Sequence, residues 1–197
     1  MSEEVDRGRR QLLTVATTLT GAVGVAFAAA PFLASWKPSA RAKALGAPVE
    51  IDIGKLEPGA MLKIEWRGRP VWVVRRTPLM IKKLGANDEV LADPGSEQSR
   101  QPDYAKNQAR AVNPEYFVVL GVCTHLGCAP ISRFEPGDAE LGADWPGGFY
   151  CPCHGSKFDL SGRVYKGVPA PTNLEIPPYT FVDAGHVVIG VDQERIA

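Results

Sequence analysis

Hydrophobic and polar positions along this chain fall into two regimes. From Gln11 to Trp36 there is no charged residue. As a helix rising 1.5 Å per residue, that stretch would reach roughly 39 Å, more than the hydrocarbon core of a bilayer requires. It is rich in Ala, Gly and Thr, small residues that suit close packing against other membrane helices. Pro31 lies near its end, and Trp36 stands where an interfacial aromatic would. The apolar part is longer than the core of a cleaved signal peptide, so a retained transmembrane anchor over residues 11–36 is predicted.

After residue 48 the pattern becomes short and alternating. Val49-Glu50-Ile51-Asp52-Ile53 reads as a strand. Met61 to Trp66 and Val71 to Arg76 read as strands around a turn at Arg67-Gly68-Arg69-Pro70. Pro78 to Leu84 predicts a short helix with Pro78 in its first turn. The polar run Asp93 to Asn107 reads as a loop, and Phe117-Val118-Val119-Leu120 as an apolar strand. Gly137 to Gly148, rich in Gly, Asp and Pro, reads as a connection. Tyr179 to Val182 and Val187 to Val191 flank Asp183-Ala184-Gly185 as a closing hairpin. Residues 37–48 are small, basic and bounded by prolines, and read as a flexible linker with room for a short helical stretch. The whole predicts an all-β domain over 49–197 behind one N-terminal transmembrane helix.

Charge narrows the function. Lys plus Arg equals Asp plus Glu at 22 each, so there is no basic field of the kind that binds nucleic acid. Arg9-Arg10-Gln11-Leu12-Leu13 looks like a twin-arginine export signal within a cytoplasmic segment 1–10. Arg7, Arg9 and Arg10 precede the apolar stretch and Lys37, Arg41 and Lys43 follow it, so charge asymmetry alone does not orient the helix.

The chemistry is concentrated in two boxes. All four cysteines and two of the three histidines lie in Cys123-Thr124-His125-Leu126-Gly127-Cys128 and Cys151-Pro152-Cys153-His154-Gly155-Ser156. Cys-x-His places two side chains on one side of an extended loop, and Cys151 with His154 forms a matching pair. Two thiolates and two imidazoles suit a tetrahedral zinc ion. They equally suit a Rieske 2Fe–2S cluster, in which two histidines replace two cysteines on one iron. Gly127 and Gly155 follow the ligands, where backbone would pass close to a bulky inorganic group. Two simple disulfides among the four cysteines would leave His125 and His154 without a role. His186 sits in an alternating run and reads as a strand residue, not a ligand.

Gly121-Val122 with the first box, the second box, Asp159-Leu160-Ser161-Gly162-Arg163 and Val168-Pro169-Ala170-Pro171-Thr172-Asn173-Leu174 resemble the Rieske iron–sulfur protein of quinol–cytochrome c reductase, the cytochrome bc complex. The resemblance implies a Rieske-type antiparallel β-sandwich with an inserted cluster-binding subdomain at about 121–173. It implies one Rieske-type 2Fe–2S cluster, with Cys123 and Cys151 on the buried iron and His125 and His154 on the outer iron. Cys128 and Cys153 would form a disulfide. Closing a ring of about 26 residues, it would stabilise the fold by roughly 3.5 kcal/mol. Ser156 occupies the position whose hydroxyl donates to a cluster sulfur, and the 168–174 stretch that of the family's proline loop. His154 would take the quinol's hydrogen bond and proton, with His125 beside it, and Leu126 and Gly127 would form the docking tip. The implied partners are a cytochrome b subunit, a membrane-anchored c-type cytochrome subunit and quinol, within a dimeric complex. Residues 37–48 would be the tether on which the domain moves.

The twin arginines and the implied disulfide together place the domain outside the cytosol, at the periplasmic face of a bacterial inner membrane, with the N-terminus cytoplasmic. One departure stands out: many relatives carry tyrosine where this chain has Phe158, so a hydroxyl that donates to a cysteine sulfur is missing. A Rieske ferredoxin or ring-hydroxylating oxygenase would use the same four ligands, normally without the extra cysteines. A Rieske subunit of another periplasmic oxidoreductase, such as arsenite oxidase, is the nearer alternative. The match in the proline loop favours the quinol reading.

Overall fold

A computed structural model describes residues 6–86 and 88–192. Residues 1–5 of the predicted N-terminal segment, Asn87, and 193–197 at the end of the predicted domain lie outside the described residues. Two compact units separate at Met1–Ala44 and Leu45–Ala197.

The first unit is built on helix α1, Arg7–Ser35. Asp6 caps it, its carboxylate accepting from the N–H groups of Gly8 and Arg9. The helix runs through Pro31 and has no buried residue. It is long and apolar enough to cross a membrane. Thr14, Thr18 and Thr20 each donate a hydroxyl to the carbonyl four residues earlier, which satisfies polar groups that lipid would not. A second short helix, α2, covers Ala40–Leu45 inside the stretch expected to be a flexible linker. The Ser39 hydroxyl accepts from the Ala42 N–H at its start.

Among the described residues the second unit is mainly β, with one short α-helix and two single-turn 3-10 helices at Asp88–Val90 and Asp103–Ala105. Its strands are β1 (Val49–Asp52), β2 (Met61–Trp66), β3 (Arg69–Arg75), β4 (Tyr116–Leu120), β5 (Ile131–Arg133), β6 (Gly148–Cys151), β7 (Ser156–Phe158), β8 (Tyr179–Phe181) and β9 (His186–Ile189). Helix α3, Pro78–Lys83, is capped by Thr77. They form three antiparallel three-stranded sheets, ordered β1-β9-β8, β2-β3-β4 and β5-β6-β7. The third sheet falls between β4 and β8 in the chain and carries the second box. One buried core draws on all three sheets, including Ile51, Val73, Phe117, Phe149, Phe158 and Tyr179.

The β2–β3 turn is tighter than the four-residue turn expected. Trp66 pairs with Arg69, and only Arg67 and Gly68 bridge them, with φ of 53° and 71°. Two left-handed residues match the right-handed twist of a two-residue hairpin. β3 therefore begins two residues earlier than the pattern suggested, and includes Pro70. Its carbonyl accepts from Gly121 N–H at 2.8 Å and so anchors the start of the first box. Gly121 has no alternative there, because a Cβ would fall 2.2 Å from the Trp72 ring.

Candidate metal centre

Both boxes fold into the same local form. β4 delivers the chain into the first box, where Gly127 N–H donates to Cys123 O at 3.0 Å. β6 ends at Cys151 and β7 begins at Ser156, with Gly155 N–H donating to Cys151 O at 2.9 Å. In each loop the cysteine carbonyl is met by a glycine four residues on, and that glycine is left-handed: φ is 84° at Gly127 and 78° at Gly155. A Cβ at either would meet nothing within 4 Å, so what demands glycine within the protein is the backbone conformation.

The two loops meet tip to tip. Cys128 and Cys153 form a disulfide, with their Cα atoms 6.7 Å apart. Cys123 and Cys151 are free thiols and fully buried. The Cys151 sulfur lies within 4.8 Å of both disulfide sulfurs, but the disulfide leaves those two no thiolate to offer a metal. The rings of His125 and His154 lie edge to face, centroids 4.7 Å apart. His154 is exposed and His125 half-buried. Sulfur therefore lies inward and imidazole outward.

Burial pushes the Cys123 thiol pKa up most, and its neighbour Cys151 adds to this. The His125 backbone N–H and the Ser156 hydroxyl act the other way by donating to its sulfur. The Ser156 Oγ also accepts from Ala170 N–H at 3.0 Å. His125 Nδ1 is buried with no hydrogen-bond partner. A buried ring nitrogen left unpaired is costly unless something outside the polypeptide satisfies it. Two adjacent buried thiols, two adjacent imidazoles and this orphaned nitrogen fit a cluster held by sulfur on one iron and nitrogen on the other.

A third loop closes the site. The Thr124 hydroxyl donates to Thr172 O at 2.6 Å, tying the first box to the 168–174 stretch. Asn173 locks that stretch from behind. Its Oδ1 accepts from Val164 N–H, and its Nδ2 donates to Asp93 O and Ser96 Oγ. Leu126 is 72% exposed at the tip, with Gly127 exposed beside it.

Sequence reasoning missed the polar floor beneath the loops. Arg76, Arg110 and Arg163 are fully buried and converge on the turn 159–163 that leaves β7. Arg76 donates to Ser161 Oγ, and Arg110 to the carbonyls of Ser161 and Gly162. Arg163 pairs with Asp159 and Asp88. Burial pulls the pKa of Arg76 and of Arg110 down to about 10. The polar loop around Asp93 and Ser96 is likewise buried against Asn173. Arginine is so rarely buried that composition gives no hint of this. The one available signal was Asp159-Leu160-Ser161-Gly162-Arg163, noted for its resemblance but not as a packing element. Two clefts beside α3, of about 190 and 520 Å³, contain none of the box residues.

Comparison with known proteins agrees with this geometry. The Rieske 2Fe-2S domain family matches residues 49–179, and the TAT signal family of the ubiquinol–cytochrome c reductase Fe-S subunit matches residues 1–39. The ubiquinol-cytochrome c reductase iron-sulfur subunit of Allochromatium vinosum is 56% identical, over 98% of this chain and 93% of its own length. The proteins of the same name from Blastochloris viridis and Bradyrhizobium diazoefficiens are 43% and 40% identical, over 96% and 92% of this chain and 96% and 94% of their own lengths.

Proposed function

The chain belongs to the Rieske 2Fe-2S domain family, and from that premise we propose that it is the electron-transfer subunit of a quinol–cytochrome c reductase. It takes an electron from a quinol and passes it to a c-type cytochrome subunit. The observation that carries this is the division of the site: two buried thiols behind, two imidazoles at the exposed edge, and a disulfide across the loops.

Cys123 and Cys151 would hold a Rieske-type cluster from the buried side through their thiolates, and His125 and His154 from the exposed side through their imidazoles. When bound, a Rieske cluster accepts one electron at a time at a potential raised by its histidine ligands. The chain's own residues do the rest. The thiols are buried as part of the same hydrophobic core that contains Val118, Phe149 and Phe158. Ser156 donates toward sulfur, and its own oxygen is fixed by Ala170 N–H. The disulfide and the Thr124–Thr172 hydrogen bond keep the three loops in register.

His154, exposed, presents its outer nitrogen to the quinol hydroxyl and takes its proton. Such an edge cannot enclose a substrate by itself. The exposed Leu126 and Gly127 therefore dock against a cytochrome b subunit that supplies the rest of the quinol pocket. α1 serves as a retained membrane anchor, with the N-terminus cytoplasmic and the domain periplasmic. The twin-arginine route carries folded proteins, which suits a domain whose cluster is inserted before export. The assembled complex is a dimer.

Purification through a tag on this chain tests the reading. Co-isolation of a b-type and a c-type cytochrome, with quinol-dependent cytochrome c reduction, is expected. Co-isolation of a molybdenum-containing subunit in their place would overturn it.

A further inference from the structure

The segment after the membrane helix carries charge that nothing in the fold uses. Lys37, Arg41 and Lys43 are exposed, and no acidic residue occurs between Asp6 and Glu50. None of the three has an ion-pair partner among the described residues. They begin immediately after Trp36, itself 81% exposed at the C-terminal end of α1. On the exported side of a span, lysine and arginine oppose the usual distribution of positive charge, so they need a compensating interaction.

We propose that residues 36–45 form an interfacial foot that binds the anionic phospholipid headgroups of the outward-facing leaflet. The proposal rests on the reading of α1 as an anchor with the domain exported. Charge complementarity selects the occupant. Trp36 sits at headgroup depth, and the three cations follow within seven residues of it. Guanidinium and ammonium groups are matched to lipid phosphates. α2 makes the arrangement short: its six residues rise only about 9 Å, and Arg41 and Leu45, four apart, share a face, with Lys43 on the other side of the same turn. Leu45 is half exposed, and so offers an apolar contact at the same level.

The consequence is a shorter tether. Ala47 O already accepts from the Trp66 indole of the β domain at 3.2 Å. With 36–45 held on lipid, Gly46 is the main remaining joint, and release of the foot adds 37–39 and α2 to the tether. The domain's reach would then depend on the anionic lipid content and ionic strength at the membrane.

The full chain with its cluster, placed in nanodiscs, tests this, because both faces of a disc are open to solvent. One set holds phosphatidylcholine alone; the other is an equal mixture with phosphatidylglycerol. Elastase, which cuts after small residues such as Ala40, Ala42 and Ala44, releases the coloured domain, and the release rate is followed. We expect release on the order of tenfold or more slower in the anionic discs, from a preference of roughly fivefold per cation. High salt should abolish the difference. So should the triple variant Lys37→Gln, Arg41→Gln, Lys43→Gln, which keeps every elastase site. Equal rates in the two lipids, or a difference that survives in the triple variant, would overturn the foot. A coloured domain that fails to co-migrate with the discs before any protease is added would instead overturn the anchor.

Discussion

At the scale of single residues, position 158 makes the sharpest prediction. Ser156 and Phe158 are two apart on β7, so both side chains project to the same face, the face on which Ser156 reaches the Cys123 sulfur. A phenol at 158 would add a second donor on the sulfur side. Hydrogen bonds to sulfur favour the reduced, more negative cluster, so Phe158→Tyr should raise the midpoint potential. Redox titration of both proteins checks this; an unchanged or lower potential would refute it. Asn173 bears on stability instead. Asn173→Ala would leave the fully buried Val164 N–H and the Ser96 hydroxyl without their partner. The loss should be about 1–3 kcal/mol for each group stranded, read from urea unfolding midpoints. The box residues were legible in the sequence because cysteine and histidine are scarce and their chemistry is spacing-dependent. Asn173 and the three buried arginines were not, because a polar side chain reveals its burial only once its distant partners, 80 and 77 residues away for the Asn173 Nδ2, are folded against it.

At the scale of elements, the disulfide and the closing hairpin can be tested separately. Cys153→Ser would free the two box loops from each other. It should lower the unfolding free energy by roughly 3.5 kcal/mol on the chain-entropy estimate and speed loss of colour on heating. In the β8–β9 hairpin, His186 Nδ1 lies 3.0 Å from both Asp183 carboxylate oxygens. The Asp183 hydrogen bond raises the His186 pKa above its ordinary 6.5, and the Gly185 N–H, then His186, lower that of Asp183 below 3.8. The stability His186 contributes is therefore full below about pH 6.5 and fades as pH rises through its raised value. That of Asp183 is full above 3.8 and fades as pH falls through its lowered value. Asp183→Asn should shift the His186 titration, followed by NMR, to lower pH. β1 to β4, β8 and β9 were legible because each falls within an alternating or apolar run of four or more residues in the sequence. β5, β6 and β7 were not: each has only three or four residues and none lies in a longer alternating run. Residues 137–147 do form a connection, and β6 starts at Gly148, where a Cβ would fall 2.1 Å from Phe158 O.

At the scale of the whole molecule, the chain joins an apolar helix to a β domain in which the two boxes and the 168–174 stretch are tied together. The helix was plain from composition, since 26 uncharged residues admit few other readings. The linker was less plain, because α2 needs only one turn and its alanines suit a helix as readily as a loose tether. The central claim is that Cys123 and Cys151 bind one iron and His125 and His154 the other. Low-temperature EPR of the dithionite-reduced full chain tests it most directly. Mixed thiolate and imidazole ligation predicts a rhombic signal whose average g lies well below the free-electron value. The near-axial signal of an all-cysteine cluster, or a colourless protein carrying zinc and giving no signal, would contradict it.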